Sequence, residues 1–338
     1  MFRGDPARTG AYRGQGPTSD PVIAWRYKTR GEVVSSAAVV DGVVYVGGLG
    51  GAVYAIGAAD GRLRWRFETG DQVASSPAVV DGVVYVGSSD GNLYALDARS
   101  GEERWQARTG PVVGAPAVAG NTVYVGSWGG ALYAFDAPTG KRRWRVPVEA
   151  EVYSSPAVAG DLVFGGGVDG TLHALDADTG AERWQRTLGG LYATPAVVGG
   201  MLYVGDASGI MHALDAETGH ERWRYRATGR IASSAAVASG LVVFGSDDGS
   251  VYALRVDDGT LAWRFTADGG VTSSPTVAGH VAYVASLGGR LYARDLLTGG
   301  ARWDLDLGDA VRASPAVAAG VLYLGTAGDA VYAVESKT

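Results

Sequence analysis

Residues 73–109 read VASSPAVVDGVVYVGSSDGNLYALDARSGEERWQART. Four short runs, beginning at Val73, Val83, Asn92 and Glu102, are separated by Asp81-Gly82, Asp90-Gly91 and Ser100-Gly101. The apolar runs are rich in Val, Tyr and Leu and are too short for helices, so the spacing predicts strands. Asp-Gly and Ser-Gly pairs supply the positive φ that tight hairpin turns require. The stretch is therefore one sheet of four antiparallel strands.

Outward from this copy, the same unit recurs along the chain. Eight of the nine tryptophans stand at Trp25, Trp65, Trp105, Trp144, Trp184, Trp223, Trp263 and Trp303, with spacings of 40, 40, 39, 40, 39, 40 and 40. SSPAV at Ser75–Val79 returns at Ser154–Val158, with variants beginning at Ser35, Ser233 and Ser273. The YALD-like segment returns eight times, with His173 and His212 in place of its tyrosine. Four strands per ~40 residues, repeated eight times, predict an all-β, eight-bladed propeller. The chain opens on a lone tryptophan strand at residues 23–29 and closes after a third strand, Val331–Glu335. The N-terminal strand is thus expected to complete the last blade. Residues 1–20 read as a polar leader and 21–338 as one propeller domain.

Each repeat tryptophan after Trp25 follows an alanine ten residues back and a glycine four back, as in Ala134, Gly140 and Trp144. Small residues and bare backbone give a flat indole a surface to stack on. The pattern A-x-D-x-x-T-G-x-x-x-W, complete at Ala134, Ala174, Ala213 and Ala293, resembles the tryptophan-docking motif of the pyrroloquinoline-quinone-like propellers. That family includes quinoprotein alcohol dehydrogenases and the outer-membrane assembly lipoprotein of the BamB type. The resemblance covers residues ~21–338. It implies an eight-bladed fold, and through the BamB branch a cell-envelope or periplasmic location.

Through the enzyme branch the resemblance implies a calcium held by Glu and Asn, a catalytic Asp and a quinone sandwiched between Trp and a vicinal disulfide. The chain has no cysteine, its only asparagines are Asn92 and Asn121, and no repeat carries a long insertion. Asp90, Asp169 and Asp248 precede turn glycines, while Asp97, Asp136, Asp176, Asp215 and Asp295 belong to the repeat. His173, His212, His220 and His280 show no ligand spacing. We therefore expect no catalytic set, no metal and no cofactor.

Composition narrows the partners. A net charge of −6 argues against a nucleic-acid surface. No apolar run approaches the ~18 residues of a membrane span, and residues 1–20 show no secretion signal. The tripeptide Arg3–Asp5 reads RGD, taken as coincidence in a flexible tail. A monomer is expected.

Function in a repeat protein is best sought where copies disagree on one face. The turns between second and third strands have tips at Leu49, Ser89, Trp128, Val168, Ala207, Asp247, Leu287 and Ala327. The positions leading into the inner strands are Val34, Ala74, Val113, Tyr153, Tyr192, Ala232, Thr272 and Arg312. Alternating strand direction places both sets on one face. Trp128, Tyr153 and Tyr192 fall on adjacent blades, with Arg312 expected to face the channel mouth. Exposed aromatics with an arginine have the composition of a binding hot spot. These residues, with Leu49 and Leu287, are the candidate surface for a protein or peptide on a non-catalytic scaffold. Alternatives are a quinone-dependent oxidoreductase or small-ligand binder using the channel, and a fold-only or engineered propeller.

Overall fold

The computed structural model describes residues 3–337. Among them 33 strands and no helix are found, in eight sheets. Blades 1 to 7 are consecutive four-stranded antiparallel meanders; blade 1, for example, comprises Ala38–Val40, Val43–Gly48, Ala52–Gly57 and Leu63–Glu68. Blade 8 takes three strands from the C-terminal segment, and Pro21–Lys28 pairs antiparallel with Ala330–Ser336 as its fourth. The ring closes as the sequence predicts, with the first strand starting two residues earlier.

The turn chemistry behaves as read. Asp81 and Gly82 both hold positive φ, 49° and 71°, the geometry of a two-residue hairpin turn. The aspartates of the repeat staple the turn between third and fourth strands. Asp136 accepts hydrogen bonds from the Thr139 amide and hydroxyl and from Arg143, seven residues on. Arg302 does the same for Asp295 and, with the Thr298 amide and hydroxyl, holds its carboxyl down to about 2 against the cost of burial.

Each indole bridges to the next blade. Trp65 Nε1 donates to the Ala98 carbonyl at 2.9 Å, and Trp25, Trp105, Trp144, Trp184, Trp223 and Trp263 make the equivalent bond. Alanine and glycine divide the work between blades. Ala95 is the cross-strand neighbour of Trp105 in its own blade, whereas Gly101 lies beneath Trp65 of the preceding one. A Cβ on Gly101 would come within 2.6 Å of that indole, and its φ is +77°, so no other residue fits without displacement.

The leader differs from the expected free tail. Its backbone passes around the wall of the central channel, from the inner strand of blade 4 to that of blade 7. Val158, Val197, Val237 and Val277 donate their amides to the carbonyls of Pro6, Ala7, Thr9 and Gly10 at 2.8–2.9 Å. Ala11–Tyr12 then lies parallel to the inner strand of blade 7. An inner strand has one edge facing the channel, and the leader satisfies backbone groups there that would otherwise need water. Pro17 ends the passage. Its carbonyl accepts from Trp303 Nε1 and the Tyr283 hydroxyl, both at 3.0 Å. Ala98 receives the same two donors, from Trp65 and Tyr45. Blade 8 lacks a covalent turn between its third and fourth strands, and Pro17 replaces the carbonyl which that turn would supply.

Candidate functional site

The mouth of the channel rests on a belt of hydroxyls that explains the recurring SSPAV. The second serine of each copy accepts the backbone amide of its counterpart in the preceding blade. Ser36 donates to Ser76, Ala115 to Ser155, Ser155 to Thr194, Thr194 to Ser234, Ser234 to Ser274, Ser274 to Ser314 and Ser314 to Ser36, over 2.8–3.2 Å. Blade 3 carries Ala115 at this position and breaks the circuit once. The first serine bonds within its blade where Ser35 exchanges hydrogen bonds with Gly47, whereas the Ser75 hydroxyl donates across to the Gly114 carbonyl of blade 3.

Above this belt opens a cavity of about 160 Å³, and its walls include Val34, Val113, Tyr153, Tyr192, Ala232, Thr272 and Arg312. The structure therefore brings these inner-strand positions together at one mouth, with Arg312 lining it as expected. All eight turn tips share that face. The tip amide donates to a carbonyl in the loop of its own blade, from Leu49 to Glu32 and from Trp128 to Pro111 through to Ala327 with Ala310.

Three of the predicted residues form a continuous strip. The rings of Trp128 and Tyr153 lie 4.7 Å apart, and those of Tyr153 and Tyr192 5.5 Å apart. Tyr192 is exposed, Trp128 and Tyr153 half-buried. Burial and the neighbouring Glu151 carboxylate push the Tyr153 hydroxyl up, so it remains a proton donor at neutral pH. Leu49 and Leu287 do not join this strip. They sit half-buried at the tips of blades 1 and 7, on either side of the blade that carries Arg312.

Two members of the site were missed from sequence. The Arg230 guanidinium lies 5.2 Å over the Tyr192 ring and pairs with Asp247 at 2.8 Å, extending the strip to blade 6. Asp247 was legible by register, as the one charged turn tip. Arg230 is the one cation among the loop positions equivalent to Glu32, Gln72 and Glu151. The second miss is polar and hidden. The Thr272 hydroxyl and Trp128 Nε1 are buried and have no hydrogen-bond partner among the described residues.

Beneath the belt lies the leader, and with it two cations that composition gave no reason to expect inside. Arg8 is 0% exposed and donates to the carbonyls of Ala115, Pro116 and Pro156 at 2.8–3.1 Å. Arg3 is buried too and reaches Ala235, Pro275 and the Arg8 carbonyl. Burial lowers these guanidiniums to about 9 and about 10, with Asp5 opposing the drop, so both stay charged at pH 7. The RGD tripeptide is thus tied down rather than free, its Arg3 buried, Gly4 exposed and Asp5 held by Thr9.

The histidines pack as read. His173 and His212 are buried within their blades, and His212 lies between Asp206 and Glu221 at 2.9 and 3.0 Å. His220 and His280 are exposed. No group of three or more metal-ligating side chains occurs among the described residues. Larger grooves, of about 670 and 430 Å³, open on the opposite face beside Trp223 and Trp65. They occupy equivalent positions on two pairs of blades, which marks them as part of the repeat rather than as a departure from it.

Comparison with known proteins places this architecture. The family described as outer membrane protein assembly factor BamB matches residues 19–115, 107–190, 168–272 and 249–338. The chain belongs to that family of tryptophan-docked propellers. No curated protein matches it. Among solved structures it is similar to BamB from Moraxella catarrhalis, at TM-score 0.82 and 22% identity over 93% of this chain and 99% of that one. A europium-containing methanol dehydrogenase gives 0.84 and 17% over 99% and 97%, and the computationally designed Ika8 protein 0.81 and 18% over 95% and 99%. At such identities these structures share the fold alone. No helix among the described residues is long and apolar enough to cross a membrane.

Proposed function

We propose that this protein is a non-catalytic scaffold that binds a protein or peptide through the channel-mouth face. One observation carries the reading: Trp128, Tyr153, Tyr192 and Arg230 form a connected aromatic and cationic strip across blades 3 to 6. The equivalent inner-strand positions of the other blades hold Val34, Ala74, Val113, Ala232, Thr272 and Arg312, so nothing in the fold demands aromatic rings there. Rigid aromatic side chains with an arginine deliver much contact area at small entropic cost. Membership of the BamB family supports an envelope location and a protein partner, and we propose a monomeric platform.

The test is an alanine panel at Trp128, Tyr153 and Tyr192 with partner capture from the native host. Each substitution is expected to weaken capture by about thirtyfold or more, the usual threshold of a hot spot. Unchanged capture by all three would remove this face from consideration.

A second reading, a quinone-dependent oxidoreductase, has the likeness to the methanol dehydrogenase in its favour. The residues at the mouth do not fit such a site well. Calcium takes 6–8 oxygen ligands, whereas the cavity walls hold no carboxylate and their belt hydroxyls already accept backbone amides. Addition of pyrroloquinoline quinone with Ca²⁺ should leave absorbance and melting temperature unchanged. A saturable rise in melting temperature favours the second reading.

A further inference from the structure

The channel is closed below the hydroxyl belt. Arg8 spans carbonyls of blades 3 and 4, Arg3 those of blades 6 and 7, both side chains are buried, and the leader backbone is bonded to the inner strands between them. Ala115 links the two levels, its amide donating to Ser155 in the belt and its carbonyl accepting from Arg8. The mouth is consequently a blind cup. A chain cannot thread it and must enter end-on. At about 160 Å³, the space admits a terminal residue and excludes a folded segment.

The cup is also polarised. Two buried guanidiniums with one nearby carboxylate, Asp5, lie under its floor. Arg312 stands in its wall, exposed and with no ion pair or hydrogen bond among the described residues. In the adjacent blade the Thr272 hydroxyl is buried and unpartnered. A buried polar group without a partner costs free energy that a ligand can recover. Blades 4 and 5, across the channel from Arg312, present Tyr153 and Tyr192. Positive charge at the floor and on one wall, with rings on the other, favours an anion attached to an apolar body.

We propose that the cup receives the C-terminal carboxylate of the partner chain, with Arg312 and Thr272 as its anion subsite and the preceding side chains lying on the Tyr153–Trp128 strip. This rests on the binding-face reading above and commits it to one chemistry. The carboxylate accepts from the Arg312 guanidinium and, as the Thr272 side chain turns its hydroxyl into the cup, from Thr272 too; the end of the chain rather than its middle supplies it because the cup has no exit.

The probe is a library of pentapeptides of the form Gly-Gly-X-X-X, labelled at the N-terminus and prepared as free acid and as C-terminal amide. A third set is amidated but carries Asp at the last position. Affinity is read by fluorescence polarisation against the full chain, against Arg312→Gln and Thr272→Val, and against Tyr153→Ala. The expected result is that selected free acids bind at least tenfold more tightly than their amides. Arg312→Gln should abolish that preference and Thr272→Val reduce it, while Tyr153→Ala lowers affinity for acid and amide alike. Equal binding of acid and amide, insensitive to Arg312→Gln but lost with Tyr153→Ala, overturns the carboxylate subsite while the face stands. Asp-amide peptides binding as tightly as free acids overturn the chain-end assignment. No peptide binding in any set, together with undiminished partner capture by the alanine panel, overturns the face itself.

Discussion

The two ends of the channel are built from the same eight strands and differ in what breaks their symmetry. At the closed end the leader imposes one direction on a ring of near-identical edges, and it does so with backbone hydrogen bonds and two guanidiniums that donate to carbonyls. At the mouth the backbone remains regular, each tip amide bonded to its own loop, and only side chains differ from blade to blade. The contrast separates stability from recognition. Backbone groups are the same in every copy, so an occupant that satisfies them is held wherever it lies. Side chains alone can give one sector of a ring a chemistry that the others lack.

The largest expected effect that sharpens this contrast comes from two tryptophans. Trp303 is 8% exposed, packed on Tyr283 and bonded to the leader at Pro17. Its replacement by alanine should cost about 3–5 kcal/mol of unfolding free energy. Trp128 is half-buried and its Nε1 has no partner, so Trp128→Ala should cost about 1 kcal/mol. Urea unfolding of both variants measures the difference, and similar losses would break the division between the two ends.

Arg8→Ala comes next. It leaves the carbonyls of Ala115, Pro116 and Pro156 without their donor, at about 3 kcal/mol. It also removes a charge under the cup, so free-acid peptides should bind several-fold less tightly while amides are unaffected. A stability loss without that change would show that the floor charge is not felt at the mouth.

The smallest effect is the acid response of the turn face opposite the mouth. Arg104, Arg183, Arg222 and Arg302, and for Asp136 first Thr139 and then Arg143, hold the repeat aspartates below the ordinary carboxylate range. A depressed folded-state value stabilises above the unfolded value near pH 4. That contribution disappears as pH falls through the folded value, about 2 for Asp295. Melting temperature should therefore be level from pH 7 to about pH 4.5 and fall towards pH 2. The pairs are exposed and each contributes little, so high salt should flatten the slope. A melting temperature that does not change down to pH 2 would show that these staples do not stabilise the fold.

The repeat was legible because each of its parts is local. A hairpin turn needs Asp-Gly at one spot, an indole needs a glycine at a fixed distance, and both leave a period in the sequence. The aromatic strip was legible for the same reason, since Trp128, Tyr153 and Tyr192 depart from a register that the period defines. Arg230 escaped because its loop varies in every blade, so a departure there has no background to stand out against. Arg3, Arg8 and Pro17 escaped for a deeper reason. They have no counterpart in the repeat, and a polar, glycine-rich leader is composed as a free tail would be.

What the sequence determined alone was the blade, the number of blades and the strand that completes the ring, because these follow from hydrophobic period and turn chemistry within ~40 residues. What only the tertiary structure decided was the function of SSPAV as a belt around the channel, the leader's place inside it and the closure of the mouth from below. Each of these depends on groups brought together across blades, where the partners are mostly backbone carbonyls and amides. Such groups occur at every position and leave no mark on the choice of residue.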